Sequence, residues 1–207
     1  MSPKPADPKV RMALVETAAE LIAADGASQL TLRRLAQAVG TSTMAIYTHF
    51  GGMDELRQEV RREGFNRLRE HLTAVPRTDD PVADIGQLGA AYYINAVTNP
   101  NLYRAMFMEG PVSDVDTDLG LDTFLQLVDT VQRGIDAGRF TDGDAYAMAQ
   151  QLWSVSHGVI TLQLAHLLEP QVAQECLRAA SNNLLRAFAD APQPVTRRRG
   201  TTRRVRP

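Results

Sequence analysis

Between Thr31 and Phe50 the chain sets hydroxyl, guanidinium, phenol and imidazole groups at helical spacing, in TLRRLAQAVGTSTMAIYTHF. Thr31, Arg33, Thr41, Ser42, Tyr47 and His49 carry the polar groups that hold a phosphate backbone at the edge of a groove. Arg33 and its neighbour Arg34 are long enough to reach a base edge instead. Thr43, Met44, Ala45 and Thr48 would stand at the exposed start of one short helix, with Ser42 at the margin, where base edges are read. Met44 and Ala45 offer only apolar contact, for instance to a thymine methyl.

Two elements must hold these side chains. Leu32, Leu35, Ala36 and Val39 recur three and four apart, as one buried helical face requires. Thr31 precedes them as a cap, and Gly40 follows where the chain must turn through positive φ. Thr41 and Ser42 are placed to cap a second helix that turns Ile46 and Phe50 inward. Small Ala36, turning Gly40 and apolar Ile46 allow the two helices to cross closely, which is the helix-turn-helix pattern. An earlier helix, Pro8 to Ala24, braces the pair through Val10, Leu14, Ala18, Leu21 and Ile22, with Gly26 as its stop. Lys4, Lys9 and Arg11 sit where an arm and a first helical turn reach phosphates.

A second group of side chains carries another kind of chemistry. Tyr92, Tyr93, Tyr103, Met106, Phe107 and Met108, with Phe124, Trp153 and His157, combine apolar bulk with a few polar handles. That is the composition of a small-molecule pocket, and also of an ordinary aromatic core. Trp153 and His157, four apart, share a helical face. His157 and His166 do not, and His49, His71 and Cys176 have no ligand spacing, so neither a metal nor a cofactor is expected. No nucleophile–base motif or glycine-rich phosphate loop occurs, so enzyme chemistry is disfavoured.

The remaining pattern is helical. A long fourth helix, Met53 to Val75, presents Leu56, Val60, Phe65, Leu68 and Leu72 on one side and is stopped by Pro76. RTDDP (77–81) reads as a turn, Val82 to Thr98 as a fifth helix, and the stretch after Asn99-Pro100 as a short sixth. Gly110-Pro111 and the segment VSDVDTD (112–118) read as an exposed acidic loop. Further helices are expected from Leu119 to Ala137, from Thr141-Asp142 to Leu168, and from Pro170 to Ala189. The eighth is apolar around most of its circumference, and Gly158 within it fits the close approach of another backbone.

Charge divides the chain of 207 residues sharply, although its net charge is only −2. Residues 1–77 hold eleven Lys/Arg and nine Asp/Glu, residues 78–190 hold five and fifteen, and residues 191–207 hold six Arg and no acid. An acidic body is repelled by phosphate, so any nucleic-acid contact belongs to the N-terminal part. The basic tail, 191–207, is low in apolar residues and is expected to be disordered. No apolar run is long enough to span a membrane, no secretory signal opens the chain, and Cys176 is alone. These features lead to the expectation of a cytoplasmic protein without a membrane partner.

TLRRLAQAVGTSTMAIYTHFGGMDEL resembles the DNA-binding unit of TetR-type transcriptional regulators, at Ala36, Val39-Gly40, Ile46-Tyr47 and His49-Phe50 above all. LWSVSHGVITL (152–162) is similar to the Trp-His-Gly segment in the C-terminal domain of one branch of that family. The resemblance implies an all-α fold of about nine helices: a helix-turn-helix domain (8–52) and a C-terminal ligand-binding and dimerisation domain (53–190). It also implies a double-stranded DNA operator of palindromic form, a small-molecule effector, and a homodimer through the last two helices. A repressor is the expected role, with an activator, a ligand-independent regulator or an enzyme using the aromatic pocket as alternatives. One departure stands out: the family places a lysine just after the reading helix, whereas this chain has Gly51, Gly52 and Met53. Backbone N–H groups at that helix start are the expected substitute for the missing phosphate contact.

Overall fold

A computed structural model describes residues 7–107 and 114–189, with the backbone alone at 114–119. Lys4, Met108, Gly110-Pro111 and the basic tail lie outside the described residues. Within them the chain is helical without strands: α1 (Pro8–Asp25), α2 (Leu32–Val39), α3 (Thr43–Phe50), α4 (Met53–Thr73), α5 (Pro81–Thr98), α6 (Pro100–Phe107), α7 (Asp114–Asp136), α8 (Ala145–Leu164) and α9 (Pro170–Ala189).

The ends follow from local chemistry. Asp7, Thr31, Ser42, Asp80 and Asp144 each accept a backbone N–H of the turn that follows, satisfying groups that the helix itself leaves unpaired. Gly40 lies in the left-handed region at φ 72°, and Thr41 N–H and Gly40 N–H return to the carbonyls of Ala36 and Gln37. This pair of bonds is a Schellman closure, which a side chain would strain.

Four expected boundaries are corrected. The acidic stretch from Asp114 is the first turn of α7, not a loop; aspartates suit the positive end of a helix as well as they suit a loop. α8 starts at Ala145 and not at Thr141-Asp142, because the Asp144 carboxylate caps Tyr146 and Ala147 N–H. It ends at Leu164 and not Leu168, because His166 adopts φ 58° and Leu167 N–H closes onto Leu162 O. α4 likewise stops at Thr73, two residues short of Val75.

Of three hydrophobic cores among the described residues, one is built around Val131, Phe140, Ala149 and Phe188, and the other two are joined through α4 and α6. The first of these two buries Leu14, Val15, Ala18 and Ile22 of α1 with Leu35 and Ala36 of α2 and Ile46 of α3. It is completed by Leu56 and Val60 from α4 and by Leu102 and Ala105 from α6. Each fully buried aliphatic side chain there contributes about 1.5–3 kcal/mol. The second core contains Phe65, Leu68 and Leu72 of α4, Tyr92 and Tyr93 of α5, and Tyr103 and Met106 of α6, together with Ile160 and Leu177. α4 and α6 are therefore shared: successive stretches of α4, and two faces of the short α6, belong to the first and the second core. Gly64 permits their close contact, since a Cβ there would lie 2.5 Å from Met106 Sδ. Arg67 ties the same junction, reaching Glu16 Oε1 at 2.8 Å, Glu63 Oε1 at 2.7 Å and Asn99 Oδ1 at 2.9 Å.

Candidate nucleic-acid interface and ligand cavity

α3 is anchored by one face and free on the other. Ile46 is fully buried, whereas Thr43, Met44, Tyr47 and Thr48 are exposed and Ala45 is half-buried. Its start is fixed by Ser42 Oγ, which accepts Ala45 N–H at 3.2 Å. Thr31 Oγ1 accepts Arg34 N–H at 3.3 Å and opens α2 in the same way. The free face measures one short helix, the width a major groove admits.

The predicted contacts separate by position. Thr31, Arg33, Ser42, Thr43, Met44, Tyr47 and Thr48 reach solvent on one end of the molecule, with Thr41 and His49 half-buried beside them. Arg33 has no partner among the described residues, whereas Arg34 is paired with Asp25. Arg11 does not stand free for a phosphate, contrary to expectation. Its guanidinium lies 4.6 Å from the Phe50 ring centre, pairs with Glu59 at 2.7 Å and donates to His49 O at 2.9 Å. Arg11 therefore fastens α1 to the end of α3 and to α4.

The helix start after Gly51-Gly52 is also not open in the expected way. A Cβ on Gly52 would stand 2.7 Å from Glu55 Oε2, so that carboxylate folds back over the first turn of α4. No side chain caps this helix start, and the negative charge of Glu55 beside it opposes the close approach of a phosphate.

The second feature is a cavity of about 730 Å³ between α4, α5, α7, α8 and α9. Tyr92, Phe107, Phe124 and Trp153 line it, as do Phe65, Leu68 and Leu72 from α4. Tyr103, Met106 and His157, named with them from the sequence, stand behind this wall. Tyr103 Oη lies 2.7 Å from His157 Nδ1 and 3.2 Å from Tyr92 Oη, and Trp153 stacks on the imidazole at 5.2 Å. Burial holds His157 below the usual imidazole range and pushes Tyr92 up to about 12; it raises Tyr103 further. At neutral pH the cluster is uncharged, which suits an apolar cavity wall.

Polar side chains from α9 and α7 also line the cavity and were not foreseen: Thr123, Gln126, Gln174, Arg178, Ser181 and Asn182. The signal was present, because Gln174, Arg178 and Ser181 recur at intervals of four and three, on one helical face. Much of the polar lining is already satisfied internally. Gln126 donates to Leu72 O at 3.0 Å, Thr123 to Gly120 O at 2.8 Å, and Tyr93 to Gln163 Oε1 at 2.8 Å. Among the described residues no group of acids, histidines and cysteines is arranged to hold a metal ion, and no helix is long and apolar enough to cross a membrane.

Comparison with known proteins agrees with this architecture. Residues 14–60 match the family model for bacterial regulatory proteins of the tetR family. Residues 85–188, half of the chain, match that for a tetracyclin repressor-like C-terminal domain. An uncharacterised helix-turn-helix-type transcriptional regulator of Bacillus subtilis is 24% identical over 149 residues, 72% of this chain and 76% of that protein. Another, from Mycobacterium tuberculosis, is 25% identical over 163 residues, 77% of this chain and 72% of its own length. The fold is shared with a TetR-family transcriptional regulator from Thermus thermophilus, at TM-score 0.72 and 22% identity over 84% of this chain and 97% of the other. It is shared also with a tetR-family regulatory protein from Rhodococcus, at TM-score 0.76 and 21% identity over 89% of this chain and all of the other. With its reading helix exposed on a buried anchor and both halves matched, the chain belongs to the TetR family of DNA-binding transcriptional regulators.

Proposed function

We propose that the protein is a homodimeric, ligand-responsive repressor that binds a palindromic operator through paired α3 helices. The observation that carries this reading is the sharing of α4 and α6 between the two cores. Leu56 and Val60 lie under the reading helix while Phe65, Leu68 and Leu72, farther along α4, line the cavity. A ligand that displaces the cavity wall must then move the element on which α3 is seated. Such a ligand regulates only if it binds one spacing of the two reading helices better than the other, since equal affinity shifts nothing.

The residues that meet DNA fall into two groups. Thr31, Arg33, Thr41, Tyr47 and His49 position the backbone, and Ser42, Thr43, Met44, Ala45 and Thr48 face bases. The effector is an apolar molecule with few polar groups, held by Tyr92, Phe107, Phe124 and Trp153, with Tyr103, Met106 and His157 supporting them. Dimerisation through α8 and α9 would cover Leu162, Leu167 and Val172, which are 43%, 71% and 49% exposed in one chain.

The test begins with duplexes selected from genomic fragments by the full chain. Compounds of varied polarity are then ranked by the rise in Tm they cause, and the best are added to an operator titration. Two chains per duplex and a weaker operator affinity with the compounds that raise Tm are expected. Compounds that raise Tm yet leave operator affinity unchanged would contradict ligand control.

A further inference from the structure

The face that α3 offers to a groove is unusual in what it lacks. From Thr43 to Phe50 the helix reads TMAIYTHF, without Arg, Lys, Asn, Gln, Asp or Glu. The pairs of hydrogen bonds that distinguish guanine and adenine come from those side chains, so α3 has no means of making them. Its largest base-facing group is Met44, the second residue of the helix and 69% exposed. One turn later, Thr48 Oγ1 donates to Met44 O at 2.9 Å. That hydroxyl has spent its proton inside the helix, leaving a methyl group and an acceptor. Ala45, between them, contributes a second methyl.

We propose that α3 reads its half-site through the C5-methyl groups of thymine, with Met44 as the side chain that selects for them. The proposal rests on the DNA-binding role of the family and adds the chemical feature recognised. An exposed thioether costs free energy in water and offers no polar contact in return. In the major groove the only apolar feature on a base edge is the C5-methyl, and burying it against Met44 removes apolar surface from both partners. A bidentate guanine contact, where the operator has one, falls to Arg33 on α2, which is exposed and unpaired among the described residues, whereas Arg34 is paired with Asp25.

The experiment replaces single thymines by deoxyuridine, which deletes the methyl and alters no base-pairing group. Duplexes are first selected from a random library by the full chain, then each thymine is exchanged in turn and affinity is measured at one fixed salt concentration. Loss of one buried methyl is expected to weaken binding about fourfold at the position beneath Met44. With Met44→Ala the thymine and deoxyuridine duplexes should bind equally; the side chain is exposed, so the variant folds. Equal affinity for both duplexes at every position, with selective binding intact, would overturn the proposal and leave the regulator reading standing. A methyl effect that survives Met44→Ala would overturn the assignment to Met44. Failure to select any duplex would remove the DNA-binding reading, and the proposal with it.

Discussion

His157 meets four rings and no carboxylate among the described contacts. Phe107 and Trp153 cover it, and the hydroxyls of Tyr92 and Tyr103 face its Nδ1. Burial disfavours the imidazolium, so the unfolded chain takes up a proton more readily than the folded one. Stability should therefore be greatest above the ordinary imidazole pKa of about 6.5 and should decline as pH falls below it. Thermal unfolding of the wild type and of His157→Gln across pH 5 to 8 checks this: the variant should lose the part of the decline that begins near 6.5. Identical pH profiles would contradict a neutral, buried imidazole. Ile46 and Met44 are two residues apart on the same helix, one sealed and the other open. That difference was legible from helical periodicity. The fate of Arg11 was not, because sequence gives its charge but not the Glu59 carboxylate and Phe50 ring that claim it.

At the scale of elements, Gly158 is the most informative position. A Cβ there would meet nothing within 4 Å, although glycine inside a helix costs about 1 kcal/mol relative to alanine. The expected close approach of another backbone is thus absent among the described residues of one chain and falls, in our proposal, to the partner across the α8–α9 seam. Gly158→Leu should leave the single chain as stable as before or slightly more so, and should shift the dimer toward monomer in sedimentation. A dimer of unchanged affinity would place the seam elsewhere. Helix ends were readable where one residue decides them, as with Thr31 and Gly40, whereas of Thr41 and Ser42, both suited to cap α3, only Ser42 does so. They were misread where two signals compete: Asp142 and Asp144 both suit a cap, and only the second is used. The double duty of α6 could not be read at all. Leu102 and Ala105 point to one core and Tyr103 and Met106 to the other, and in sequence all four are simply apolar.

At the scale of the molecule, an acidic body carries a short reading helix at its far end, and α4 runs from one to the other. Of the residues that the sequence offered for a pocket or a core, Tyr92, Phe107, Phe124 and Trp153 line the cavity and Tyr103, Met106 and His157 do not. The polar lining from α9 was hidden by assigning that helix wholly to dimer contact. In our proposal the absence of a lysine after Phe50, with the Glu55 carboxylate beside the next helix start, leaves phosphate contact to Thr31, Arg33 and Tyr47. The central claim is that α3 lies in a major groove and its twin lies in the next. It is tested most directly by attaching an iron chelate at residue 43, through Thr43→Cys in a Cys176→Ser background, and mapping strand cleavage on a selected duplex. The account predicts two clusters of cuts, each centred in a major groove and about 34–36 Å apart. Cleavage no stronger than from the same chelate at residue 167, on the opposite domain, would contradict it.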